Sequence, residues 1–243
     1  MLDKFLQRAI MEANQAREET MKKNMYSLML AEEVIREIDK LAEQNNTNRS
    51  NLVNQILAEY VSLTTPEKHI QNIFEIIGNM MGNRGNFLLY SQPNDLTMST
   101  QSVLEKSSLK YHYRPTIRYE VEMYRTPKET IGQLKIIFRT QSPELLVELT
   151  RFFKIWMQLE TIYIKQFFTK DAIEYSLENG KFLRSFAVPN DSDYTEEQIG
   201  NAIGHYIATF DEMLKGFLGG EYGSIEALEK RYLQYLNSGV QII

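Results

Sequence analysis

Between residues 25 and 63 the hydrophobic period changes twice, and that switch constrains the fold more than any other feature of the chain. Tyr26, Leu28 and Leu30 alternate with Met25, Ser27 and Met29, the two-residue period of a strand. After Ala31 the period becomes helical. Val34, Ile35, Ile38, Leu41 and Ala42 fall on one face, while Glu32, Glu33, Arg36, Glu37 and Lys40 fall off it. The acidic pair sits in the first turn, where the helix dipole favours it. Asn45-Asn46-Thr47-Asn48 suits a turn, and Asn48 reads as the N-cap of a second helix with apolar positions Leu52, Val53, Ile56, Leu57, Tyr60 and Val61. A lone strand has no partner for its backbone groups, and two short helices enclose too little core. A unit of this make-up needs a second copy, and two strands pairing antiparallel across a two-fold axis would meet both needs.

The rest of the chain divides around this unit. Residues 1–21 carry Leu2, Phe5, Leu6, Ala9, Ile10, Ala13 and Ala16 at helical spacing, an amphipathic helix. Thr64-Thr65-Pro66 closes the second helix of the unit and opens another, in which Ile70, Ile73, Phe74, Ile77 and Met80 run up to a turn at residues 82–86. A change in composition at 63–66 marks a domain boundary. Over residues 87–140 the alternation returns: Phe87 to Tyr90 form one strand, Ile117, Tyr119, Val121 and Met123 another, and Leu134, Ile136 and Phe138 a third. Thr126 to Thr130 form a hairpin loop. Pro143 opens a strongly apolar helix, and helices are expected at Thr169–Phe186, Thr195–Phe217 and Ser224–Leu236. The expected class is α+β, mostly helical: an N-terminal helix over 1–21, a small module over 22–63, and a larger domain over 66–243 with an antiparallel sheet at about 87–140 and helices over 143–243.

Composition narrows the function. The 243 residues include no cysteine, which removes disulfides, thiolate catalysis, zinc–thiolate sites and iron–sulfur clusters. Three histidines, His69, His112 and His205, lie far apart, so no metal site is expected. A net charge of -5 argues against nucleic-acid binding by bulk charge. The N-terminus lacks the pattern of a secretory leader and no run of apolar residues is long enough to span a bilayer, so the expectation is a cytoplasmic protein without a membrane partner. Gly82-Asn83-Arg84-Gly85 fits neither the Walker nor the dinucleotide pattern. Glu120 and Glu122 read as surface residues, His205 as packed or exposed, and Trp156 as core. Phe152, Phe153, Tyr163, Phe167 and Phe168 could line a pocket, but core packing accounts for them. No nucleophile–base pair stands out, so neither an enzyme nor a cofactor is expected.

Leu28 to Ala42, with Ile38-Asp39-Lys40-Leu41-Ala42 at its end, followed by Asn48-Arg49-Ser50-Asn51-Leu52-Val53, resembles the ribbon-helix-helix family of the Arc, methionine and plasmid copy-number repressors. The resemblance covers residues 22–63. It implies a homodimer on double-stranded DNA, with the two-stranded ribbon in the major groove. Met25, Ser27 and Met29 would read base edges, because Tyr26, Leu28 and Leu30 would face the helices. Asn48, Arg49 and Ser50 would clamp a phosphate at the second helix N-terminus, with Lys22 and Lys23 adding phosphate contacts. The chain departs from the family at the reading face, where two of three residues are methionine. Residues 21–63 also hold five basic against six acidic residues.

The sequence therefore carries two functional readings. One is a dimeric, sequence-specific DNA-binding protein, most naturally a transcriptional repressor. The other is a non-enzymatic dimeric scaffold, or a plasmid partition or conjugation accessory protein, in which the module mainly dimerises. Either leaves residues 66–243 free to bind a small ligand or protein partner. Residues 105–139 form the one basic stretch, with eight basic and four acidic residues. Lys110, Arg114, Arg118, Lys135 and Arg139, with Tyr111 and Tyr113 between them, could face an anion, or they could belong to a solvated sheet face balanced by acidic helices.

Overall fold

The structure, a computed structural model, describes residues 25–61, 63–85, 87–94, 96–103, 116–178, 180–190 and 192–243. The expected helix over 1–21, with Lys22 and Lys23 after it, lies outside the described residues, as do Lys110, Tyr111, Tyr113 and Arg114. The fold is mixed α+β: helices alternate with one six-stranded sheet, antiparallel throughout. In chain order it runs α1 (Glu32–Gln44), α2 (Arg49–Tyr60), α3 (Pro66–Gly82), β1 (Phe87–Asn94), β2 (Thr97–Val103), β3 (Thr116–Met123), β4 (Gly132–Phe138), α4 (Pro143–Tyr163), β5 (Tyr175–Glu178), β6 (Lys181–Phe186), α5 (Glu196–Gly219) and α6 (Ile225–Leu236). No described helix is long and apolar enough to cross a membrane.

Local chemistry explains the helix starts. Asn48, Thr65, Ser142 and Ser224 each accept a hydrogen bond from an amide three residues on. Thr195 and Gln198 form a full capping box at the head of α5. Pro66 and Pro143 occupy first-turn positions, where a missing N–H costs nothing.

The sheet order is β1-β2-β3-β4-β6-β5. Ile117, Tyr119, Val121, Leu134, Ile136, Phe182 and Phe186 point from it into one core with α3, α4, α5 and α6. Phe153 of α4 stacks on Phe182 with ring centres 4.8 Å apart, and Trp156 meets Phe210 of α5 at 4.9 Å. Trp156, Phe152, Phe153 and Phe168 are buried, while Phe167 is exposed. Helices α3 and α5 approach closely because α5 carries glycines at the crossing. A Cβ on Gly200 would fall 2.8 Å from Cβ of Ile76, and one on Gly204 would fall 2.7 Å from the sulfur of Met80.

Two sequence expectations fail in the C-terminal domain. The helix expected over Thr169–Phe186 is instead a 3₁₀ turn at Lys165–Phe167 followed by the β5–β6 hairpin. Gly180, at φ +74°, takes the left-handed conformation that the tight turn between β5 and β6 requires. β2 was not expected at all. Its inward positions are Met98, Thr100 and Ser102, buried but mostly polar, so no hydrophobic alternation announces it. The expected first strand of the sheet runs on to Asn94.

The expected strand over Met25 to Leu30 does not form within one chain. The segment belongs to no sheet and makes no backbone–backbone hydrogen bond among the described residues. None of residues 25–63 belongs to the main core cluster, which begins at Ile70. Within the module only Ala42, Leu52 and Ala58 are buried apolar residues.

Candidate nucleic-acid interface

The module leaves an unusual amount of apolar surface uncovered. Tyr26, Leu28, Leu30, Val34, Leu41 and Ile56 are exposed, and the ribbon residues expected to face the helices thus face solvent in a single chain. Exposure falls along the even-numbered positions from 80% at Tyr26 through 61% at Leu28 to 41% at Leu30. Met25 and Met29 are essentially fully exposed, and Ser27 is exposed with them. Exposed apolar side chains this numerous on a short stretch are uncommon on the surface of a soluble monomer.

The second constellation sits at the α2 N-terminus. The Asn48 side chain accepts from the Asn51 amide at 3.0 Å, which leaves the amides of Arg49 and Ser50 without intrahelical acceptors at the positive end of the helix dipole. Arg49 itself is engaged. Its Nε and Nη2 donate to the two oxygens of Asp39 in α1, at 2.7 and 2.6 Å, a bidentate clasp between the two helices. That hydrogen bonding holds the Asp39 carboxyl below the usual carboxylate range and raises Arg49. Both side chains remain about half exposed, at 55% and 45%, so solvent screens the pair. The structure therefore brings Asn48, Arg49 and Ser50 together at one helix end. It keeps Met25, Ser27 and Met29 on a separate segment.

Of the five basic residues singled out in this stretch, Lys110 and Arg114 lie outside the described residues and two of the others are paired. Arg118 and Lys135 both pair with Glu120 on the solvent side of the sheet, at 3.2 and 2.8 Å, and Gln133 donates to Glu122 at 2.6 Å. The acid for these two comes from β3, whereas Arg125, which follows that strand, pairs with Glu67 of α3 at 3.2 Å. His205 is half-buried, and its pKa is lowered by burial and by Arg84.

Sequence reasoning missed two buried polar clusters in the C-terminal domain. In the first, Asp211 of α5 accepts from Tyr119 at 2.9 Å and Ser102 at 3.0 Å, and pairs with Lys215 at 2.7 Å, joining α5 to β2 and β3. Burial, reinforced by Asp211, pushes the Tyr119 hydroxyl well up. In the second, Arg184 of β6 pairs with Glu160 of α4 at 3.2 Å, Tyr206 donates to Glu160 at 3.2 Å, and Trp156 donates to Tyr206 at 2.8 Å. Burial raises the Glu160 carboxyl, with Arg184 opposing the shift. The readable signal was a charge on an apolar stripe: Glu160 follows Trp156 by one helical turn, and Asp211 lies between Ile207 and Leu214. Compared with known proteins, the chain matches no protein family, no characterised protein and no solved structure.

Proposed function

We propose that the chain is a dimeric, sequence-specific DNA-binding protein of the cytoplasm, acting as a transcriptional regulator, with residues 22–63 as a ribbon-helix-helix module. The observation that carries this reading is the segment Met25–Leu30. It stands unpaired ahead of two helices whose apolar side chains have no place in the core of the same chain. A second copy supplies the missing backbone partner and the missing core at once. Pairing then sets Met25, Ser27 and Met29 of both copies side by side on the outer face of a ribbon, while the α2 N-termini flank it as phosphate clamps.

The clasp between Asp39 and Arg49 gives the proposal a two-sided test. On an operator obtained by selecting and sequencing bound DNA fragments, Arg49→Ala should weaken binding about uniformly across sequences and reduce the salt slope by about one. Asp39→Ala frees the guanidinium and should strengthen binding with a steeper salt slope. Ser27→Ala should change base preference rather than salt dependence. Fluorescence anisotropy over a salt series reads all three. A dimer that retains no DNA at low salt would assign the module to dimerisation alone.

A further inference from the structure

Arg184 faces the core from the sheet, in register with Leu134 on one side and Tyr175 on the other, and its neighbours on that face of β6, Phe182 and Phe186, are apolar. A buried ion pair there is expensive, because two ions leave water and apolar residues of similar volume often serve stability as well or better. Arg184 and Glu160 are each only 1% exposed, yet the pair is incomplete. Nη2 donates to Glu160 at 3.2 Å and Nη1 to the Ser185 carbonyl at 3.0 Å, while Nε has no partner among the described residues. The hydroxyl of Tyr175, in register with Arg184, is likewise buried and bare, so neither group supplies the partner that the other lacks.

The pair lines a small crevice together with Tyr206, Tyr232, Tyr235, Ile164 and Leu236. Gln241, Ile242 and Ile243, from the segment 239–243 that follows α6, complete the lining. Ile243 is buried in the core cluster, but no backbone–backbone hydrogen bond among the described residues ties this segment down. A hydrogen bond joins the Ile242 backbone to the Tyr194 hydroxyl. With residues 241–243 in place the space left is about 10 Å³, room for one water. Without them the remaining lining has the make-up of a small-molecule site: aromatic and aliphatic walls around a few polar groups.

We infer that this crevice binds a small uncharged molecule bearing a carbonyl acceptor on an apolar body, an amide or a ketone, and that residues 239–243 are its displaceable cover. The carbonyl accepts from Arg184 Nε–H. The ligand is neutral because Glu160 already balances Arg184, and a further charge of either sign would be buried without a counterion. The tyrosine rings take the apolar body. The site shares no residue with 25–63 and stands whether or not that module binds DNA. The single tryptophan, Trp156, reports on it through its hydrogen bond to Tyr206.

The test titrates the full chain with N-cyclohexylacetamide, a non-fluorescent neutral amide, and follows Trp156 emission, with cyclohexanecarboxylate as the anionic control. A saturable change is expected for the amide. Removing residues 239–243 should tighten binding at least about fivefold, since the cover no longer competes. The charge-balanced double variant Glu160→Gln/Arg184→Met should weaken it about tenfold or more through loss of the donor. Tyr235→Ala, which trims a wall without touching the ion pair, should also weaken it and serves if the double variant fails to fold. No saturable change in either the full or the shortened chain, equal binding of the carboxylate, or unchanged affinity in Tyr235→Ala or in a folded double variant would overturn the inference.

Discussion

Arg184→Met should lower the stability of the C-terminal core by about 3–5 kcal/mol, the cost of leaving the Glu160 carboxylate buried without its partner. Both groups are inaccessible to solvent, so water cannot repair the loss. The penalty should depend on pH in a defined direction. Burial raises the Glu160 carboxyl above its usual value near 4.5 even with Arg184 present, and removing the guanidinium raises it further. The folded variant then binds a proton at Glu160 more readily than the unfolded chain does. Its deficit relative to the parent should be full at pH 8 and shrink as the pH falls through the raised folded value toward 4.5. Adding Glu160→Gln should recover much of the loss at neutral pH. Urea unfolding at two pH values measures all of this, and a deficit that does not change with pH would mean that Glu160 is not the charge left exposed to the core.

Leu28→Asp should have the larger effect on association. In the proposed dimer Leu28 of each copy lies on the inner side of the ribbon, so the substitution buries two carboxylates near a two-fold axis. Each lacks a partner and each repels the other. A penalty of about 3 kcal/mol weakens the dimer by roughly a hundredfold. Light scattering at micromolar protein should then find a monomer, and anisotropy should find only non-specific DNA binding. Stability of the C-terminal core should be unchanged, since Leu28 takes no part in it. A Leu28→Asp chain that stays dimeric would show that the copies meet through another surface.

Elements whose signals are local could be read from the sequence. Asn48 and Thr65 cap the helices that their side chains announce, Pro143 opens α4, and the alternation of β3 and β4 appears in their apolar residues. β2 escaped because Thr100 and Ser102 stand where apolar residues would have shown the period, and Ser102 is there to bond Asp211 across the core. The β5–β6 hairpin does not show as two alternating runs because β5 is only four residues long and a charged residue, Arg184, stands at an inward position of β6. At the α2 N-terminus, the helix-end residues could be located but not their state. The clasp on Arg49 comes from Asp39, ten residues earlier on the other helix, and only the packing of α1 against α2 brings them together. Glu160 and Arg184 likewise meet only once α4 lies across the sheet.

That residues 25–63 lie outside the main core has a consequence for how the chain comes apart. Under the proposed dimer the larger part is stabilised by its own interior and residues 25–63 by a second copy, so the two answer to different variables. The larger part should melt at a temperature indifferent to protein concentration. The smaller should melt at one that rises as the protein is concentrated, because its folding is coupled to association. Calorimetry would then record two heat-absorption peaks that drift apart or merge on dilution, and a single midpoint quoted for this chain would describe neither body.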